Sequence, residues 1–292
     1  MTMSSERPDC VVVTGASTGI GAACARELAR RGFHVLAGVR REQDADALRA
    51  PGIEPVILDI TQPGHIAELA ARLNGQTATL RALVNNAAIS VNAPVEALPL
   101  EEWRRLFEVN LFGHVAVTQA LLPVLLRHSG RVVNVSSVGG KIAMATYGPY
   151  AGTKFALEAV SDALRRELAP LGVQVVVVEP GGIRTPMAER GIATTSRLAE
   201  TLSPEQRDRY GPLLQAVTAQ TAAFTTRGRS AEEAARVIAK AVTAPKPRTR
   251  YTIGRDAALL TRLSRVLPDR LLDRIFATGL RPYYGKASPA VG

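Results

Sequence analysis

The sequence predicts an α/β protein: a single doubly wound domain with helices on both faces of a parallel sheet. Three observations carry that expectation. A short apolar run, Cys10-Val-Val-Val-Thr14, reads as a buried parallel strand and leads straight into a glycine-rich junction and a helical pattern. Strand-like and helix-like segments then alternate along most of the chain. Finally, 292 residues with 46% hydrophobic content supply enough chain for one large core. An alternation of this kind places ligands at the carboxyl ends of the strands.

In chain order, strands are expected at 10–14, 33–39, 53–58, 80–84, 131–135 and 173–178, each a run of strand length rich in apolar residues. Helices are expected at 22–31, 43–50, 65–73, 101–126 and 150–171. The most apolar long window, 111–126, is interrupted by His114, Gln119 and Pro123 and reads as a buried helix rather than a membrane span.

The first junction, Gly15-Ala-Ser-Thr-Gly19-Ile-Gly21, lies after a strand and before a helix. Glycines there permit a tight turn and let backbone N–H groups and a helix N-terminus approach a pyrophosphate. The segment therefore implies a dinucleotide site. After the second strand, Leu36-Ala37-Gly38-Val39 leads into Arg40-Arg41, with no acid before Glu42. An acid in this place would bind a ribose 2′-hydroxyl, whereas a guanidinium suits a 2′-phosphate. NADP(H) is expected over NAD(H); the alternative is two solvated surface arginines.

Tyr150 and Lys154 are four residues apart in a helical pattern and share one face, with Ser137 upstream at the end of a strand. A free tyrosine ionises near pH 10 and is a poor acid/base catalyst at neutral pH. An ammonium about 5 Å away at an effective dielectric of about 20 stabilises the phenolate by roughly 3 kcal/mol, or about two pKa units. The spacing alone arises often by chance, and the glycine junction gives it meaning. Tyr147 is also near Lys154, but Gly148-Pro149 follows it, and proline favours a first helical turn. Tyr147 is therefore expected before the helix, at the mouth of the site. Ser136 and Ser137 alternate along a strand and point to opposite faces.

These motifs together resemble the short-chain dehydrogenase/reductase family, with similarity to its steroid- and retinol-type dehydrogenases. Thr14-Gly15-x-x-x-Gly19-Ile20-Gly21 matches the family's cofactor motif, and Asn85-Asn86-Ala87-Ala88 matches its Asn-Asn-Ala-Gly segment except at Ala88, whose methyl would crowd a nearby cofactor backbone. Asn110, Ser137, Tyr150 and Lys154 fall where the family has its catalytic tetrad, and Pro180-Gly181 matches the Pro-Gly after its sixth strand. The resemblance covers about residues 9–255 and implies a Rossmann-type domain that interconverts an alcohol and its ketone or aldehyde by hydride transfer. It implies Tyr150 as general acid/base, Lys154 as the group that lowers its pKa and binds the nicotinamide ribose, and Ser137 as the carbonyl-orienting group, the spacing selecting Ser137 over Ser136. Asn110 would hold a water linking Lys154 to solvent; read unaided, it makes a structural hydrogen bond inside a helix. Gly15, Ser17, Thr18, Gly19, Ile20, Gly21, Arg40, Asp59, Ile60, Asn86, Ala87, Pro180, Gly181, Ile183 and Thr185 would bind cofactor together with Tyr150 and Lys154. Asp59 fits an adenine contact or, equally, a helix N-cap.

The resemblance places a substrate lid at about 186–229. Its apolar residues Met187, Ile192, Leu198, Leu202, Tyr210, Leu213, Leu214, Val217 and Phe224 suit a steroid-, retinoid- or other lipid-like substrate, and core packing explains them equally well. The opposing function is a catalytically silent NADP(H)-binding regulator or redox sensor, against which the intact tetrad argues. A homodimer or homotetramer through the helices near 101–126 and 150–171 is implied.

The chain carries a net charge of +10, of which residues 246–292 hold +7, with ten Lys/Arg against Asp256, Asp269 and Asp273. Leu259, Leu260, Leu263, Val266 and Leu267, then Leu271, Leu272, Ile275 and Phe276, form two short amphipathic helices split by Pro268. Residues 256–292 thus read as a basic C-terminal extension with solvated arginines; peripheral membrane contact is the less favoured reading. No nucleic-acid signature accompanies the charge. Residues 1–8 form a polar, flexible start without a secretory pattern, and 286–292 are expected to be disordered. Cys10 and Cys24 fit reduced core thiols, and the expected location is cytoplasmic. His34, His65, His114 and His128 lack metal-ligand spacing, so no metal is expected.

Overall fold

Seven strands form one sheet in the order β3-β2-β1-β4-β5-β6-β7, and every pairing is parallel. The strands are β1 (Cys10–Val13), β2 (His34–Val39), β3 (Ile53–Ile57), β4 (Leu80–Asn85), β5 (Arg131–Val135), β6 (Gln174–Pro180) and β7 (Arg250–Ile253). The structure, a computed structural model, describes residues 8–75 and 78–285. The expected flexible start, apart from Pro8, and the expected disordered tail at 286–292 lie outside the described residues.

All four residues of β1 are fully buried because helices cover both faces of the sheet. Val11 and Val13 pack into one layer with Ala22, Ala25 and Leu28 of α1 (Gly19–Arg30) and with Ile238 and Val242 of α9 (Ala231–Thr243). Cys10 and Val12 face the other layer, with Ile66 and Leu69 of α3 (Pro63–Asn74) and Val117 and Leu121 of α5 (Gly113–Arg127). The order of strands reverses between β1 and β4, which makes the crevice above them the switch point where such folds bind ligands.

All six expected strands form, with ends displaced by two residues or fewer. Neither β7 nor α9 was expected. β7 is four residues long, begins with an arginine and follows Pro245 and Pro247. The buried stripe of α9 is largely alanine, a weak hydrophobic signal, although Ser230 and Glu233 form a capping box that marks its start. The single helix expected at 101–126 is α4 (Leu100–Phe107), a π-helical turn at Glu108–Phe112 and α5 in continuous succession. Leu100–Arg127 is long and apolar enough to cross a membrane, yet Val117, Leu121 and Leu125 sit in the core, as in the central helix of a globular domain. Cys10 and Cys24 are free and buried, and burial pushes both thiols up to about 12.

A polar ladder crosses the sheet beneath the crevice. Asn85 Nδ2 donates to Thr118 Oγ1 and Asn134 Oδ1, both at 2.9 Å. Asn134 Nδ2 donates to Ser161 Oγ at 2.8 Å on α6 (Gly148–Leu168). Asn85→Ala leaves two buried acceptors without their donor and is expected to destabilise the protein by about 1–3 kcal/mol, measured by urea unfolding.

Candidate active site

The crevice is built on a clamp between the ends of β1 and β4. Thr14 Oγ1 accepts from the Asn86 and Ala87 N–H groups at 2.9 and 3.0 Å, and Asn86 Nδ2 donates to the Thr14 and Gly15 carbonyls at 3.0 and 3.1 Å. This approach admits no side chain. Gly15 has φ +64°, and a Cβ there would lie 2.6 Å from Ala87 Cα. A Cβ on Gly21 would lie 2.2 Å from the Gly15 carbonyl oxygen. The turn aims the start of α1 into the crevice. Thr18 supplies no side-chain cap and the first turn carries no acid, so the helix presents bare N–H groups and its positive end.

From β4 the contacts continue towards α6. The Ala87 carbonyl accepts from His114 Nε2 at 2.6 Å, and burial pulls this imidazole down to about 3, so it stays neutral. Asn110 Oδ1 accepts from Ile89 N–H, and its Nδ2 donates to the Ile89 carbonyl, each at 2.9 Å. The same Nδ2 donates to Thr153 Oγ1 at 3.1 Å, and Thr153 Oγ1 donates to the Tyr150 carbonyl at 2.7 Å. Asn110 does not border the cavity. It joins the β4 loop to the helix that bears Tyr150 and Lys154.

One cavity of about 580 Å³ collects Ser137, Tyr150, Lys154 and the glycine turn. Every cofactor-binding candidate borders it: Ser17, Thr18, Gly19, Ile20, Arg40, Asp59, Ile60, Pro180, Gly181, Ile183 and Thr185, besides Gly15, Gly21, Asn86 and Ala87. α6 starts at Gly148, so Tyr147 precedes it and lines the cavity, its hydroxyl 3.0 Å from Thr221 Oγ1. Ser137 Oγ accepts from Gly139 N–H at 3.0 Å, which leaves the hydroxyl proton to be donated elsewhere. Ser136 also borders the cavity, but its Oγ is buried without a partner. β3 ends at Ile57, and Asp59 is not a helix cap: Oδ1 accepts from Thr61 N–H and Oγ1, and Gln62 precedes α3.

Burial dominates the electrostatics of the pair. Lys154 Nζ lies 5.9 Å from the Tyr150 ring centre and donates to the Val135 carbonyl at 2.9 Å. Burial pulls Lys154 down to about 8, opposed by Glu158. Burial also pushes Tyr150 up to about 12, eased by Ser137 and reinforced by Tyr147. In the free protein desolvation is the largest influence on both groups and penalises both charged forms.

The residues present fit a dinucleotide: a cradle that a Cβ would fill, an uncapped helix end, and Arg40. Arg41 pairs with Asp44 at 2.9 Å, whereas Arg40 is exposed at the cavity edge and makes no ion pair among the described residues. Arg190 on α7 (Pro186–Glu200) also borders the cavity, and its charge acts on the same Asp44. Arg190 and Asp44 are far apart in the chain, so their neighbourhood is hidden from sequence reading.

The lid comprises α7 and α8 (Pro204–Arg227). Of its nine apolar candidates, Met187 and Phe224 border the cavity. Core packing accounts for others: Leu198 packs against Val91 and Leu106, and Leu213 and Val217 pack with Tyr147 and Leu280. The far wall is completed by Val138 and Met144 and by Ala257 and Leu260 of α10 (Arg255–Leu263). The supposed C-terminal extension thus contributes a wall of the site.

A family model described as "short chain dehydrogenase" matches residues 9–195. The chain belongs to the short-chain dehydrogenase family. It is 37% identical to mouse "Retinol dehydrogenase 5" over 91% of this chain and 86% of that one. A short-chain dehydrogenase structure from Streptomyces avermitilis superimposes with a TM-score of 0.73 at 30% identity, covering 94% of this chain and 95% of that one. A Burkholderia cenocepacia short-chain dehydrogenase in complex with NADP gives a TM-score of 0.71 at 25% identity, covering 92% and 97%. The protein is an oxidoreductase of the alcohol type that uses NAD(P).

Burial of Lys154 has a measurable consequence. Its folded pKa lies below the unfolded value, so the unfolded chain binds the extra proton between about pH 8 and 10.5, and stability rises with pH across that window. Relative to Lys154→Met, the wild-type protein without cofactor is expected to gain about 3 kcal/mol from pH 7.5 to 10.5. Urea unfolding of both proteins across that range checks it.

Proposed function

We propose that this protein interconverts a hydrophobic alcohol and its ketone or aldehyde with NADP(H), Tyr150 moving the proton. The observation that carries the reading is the single cavity in which Ser137, Tyr150 and Lys154 meet the glycine turn at one end and Met144, Met187, Phe224 and Leu260 at the other. When bound, the nicotinamide supplies or accepts the hydride. In reduction, Tyr150 donates its phenolic proton to the carbonyl oxygen; in oxidation it takes the hydroxyl proton back. Ser137 holds that oxygen with the hydroxyl proton left free by its bond from Gly139, and it stabilises the charge that develops there. Lys154 faces the ring as the nearby cation, and the burial of both side chains strengthens its attraction for a forming phenolate.

The apolar wall supports a lipid-like substrate, as does similarity to a relative named for retinol. Arg40 and Arg190 at the adenosine end support NADP(H), with the NADP complex of a structural neighbour in agreement. A silent regulator would need no Ser137 and Tyr150 directed into an apolar chamber. Exposed Phe112, Phe155 and Val160 on the helices around 101–127 and on α6 support self-association, and a cytoplasmic location is part of the same reading.

Nicotinamide absorbance, followed with a panel of lipophilic alcohols and ketones, tests the reaction. Tyr150→Phe is expected to lower turnover by about 10²-fold or more while leaving NADPH affinity intact. Binding without turnover of any panel member, in wild type and variant alike, would favour the silent reading. Arg40→Ala is expected to weaken NADPH by about tenfold or more with little effect on NADH. Titration by NADPH fluorescence decides, and equal losses for the two cofactors sink the preference.

A further inference from the structure

The C-terminal helices leave large apolar side chains uncovered. On α10 and just beyond it, Arg255, Leu259, Arg262 and Val266 recur at helical spacing and are all exposed, Leu259 to 58% and Val266 to 80%. On α11 (Asp269–Leu280), Leu272, Phe276 and Leu280 form the inner stripe, while Leu271 and Ile275 stand outside at 41% and 38% exposure. Packing therefore uses only one side of each helix. The sequence-based reading expected solvated arginines around a packed apolar face, and the structure instead leaves four large apolar side chains in the open.

The same segment carries exposed positive charge. Arg255, Arg262, Arg265, Arg270, Arg274 and Arg281 are exposed, and none forms an ion pair among the described residues. Asp269 and Asp273 are the acids of α11 and leave this surface strongly positive. Guanidinium groups flanking protruding leucine, isoleucine and valine side chains match an interface with anionic headgroups outside and acyl chains within.

We propose that α10 and α11 dock on a bilayer containing anionic lipid. α10 also fixes what docking would accomplish. Ala257 and Leu260 line the substrate cavity, while Leu259 and Arg262 on the same helix face outward, so one helix separates the cavity from the docked surface. Phe224, at the same wall of the cavity, is 45% exposed. A lipophilic substrate dissolved in the bilayer would reach the cavity past α10 without crossing water. That delivery route rests on the apolar-substrate reading above; the docking does not.

Co-sedimentation of the full chain with vesicles of phosphatidylcholine, alone or with phosphatidylserine, tests the proposal. Wild type is expected to partition onto the phosphatidylserine vesicles at least about tenfold more strongly than onto phosphatidylcholine alone, and to be released by salt. Arg262→Glu/Arg265→Glu and Leu259→Glu/Val266→Glu are each expected to lose about tenfold or more of that partition while NADPH affinity reports an intact fold. Arg104→Glu/Arg166→Glu, which removes exposed positive charge elsewhere, is expected to bind as wild type. Wild type that ignores the anionic vesicles, as for a surface built for an acidic protein, overturns docking, and so does an equal loss in all three double variants. Turnover of a lipophilic alcohol without vesicles is read separately: vesicle binding without turnover overturns the substrate reading and leaves docking standing.

Discussion

The site depends on one close approach, that of the glycine turn after β1 to the end of β4. The strands can come together there only because Gly15 and Gly21 lack side chains, and Thr14 and Asn86 fix the distance with four hydrogen bonds. That approach aims the first turn of α1 at the crevice. It also places Ala87 and Ile89 where His114 and Asn110 can hold them, and Asn110 passes the restraint through Thr153 to α6. Tyr150 and Lys154 are thus positioned relative to the glycine turn through a continuous series of contacts rather than through a flexible loop.

Behind the pair lies a second device, made of charges. Glu158, one turn beyond Lys154, accepts from Lys141 at 2.6 Å and from Arg250 at 3.0 Å, and Arg250 also reaches Asp162 at 2.9 Å and Glu179 at 3.3 Å. Buried ion networks of this kind fix geometry more reliably than they add stability. Here the network fastens β7 to α6 and sets a carboxylate on the protein side of Lys154. Burial still dominates: the lysine is lowered and the phenol raised. The pair is held apart in energy, at a cost in stability, so a low-dielectric chamber can amplify any positive charge brought to it.

The order of elements and the chemical residues were legible because each carries a strong local signal. The glycine turn, Ser137, Tyr150, Lys154 and Arg40 are read from residue type and spacing, and they meet around one cavity. What escaped detection has no local signal. His114 and Arg190 reach the site only through the packing of α5 and α7, and α9 is built on alanines that match the small residues of α1. β7 is too short and too polar to read as a strand, and it exists because Arg250 and Thr252 find Glu158 and Glu179. Burial of the phenol is hidden from sequence for a related reason. Charge spacing along a helix is visible in sequence, whereas the desolvation that opposes it depends on the whole fold.

On the proposed function, Tyr150 is a buried proton-transfer group that becomes reactive when positive charge joins Lys154 in the cavity. Ultraviolet titration of tyrosinate, taken as the difference between wild type and Tyr150→Phe, tests it most directly. Tyr150 is expected to stay protonated to at least about pH 10.5 in the free protein, and saturating NADP⁺ is expected to move its ionisation well towards neutrality. A Tyr150 that ionises near pH 7–8 without cofactor, or whose ionisation is unmoved by NADP⁺, would contradict it.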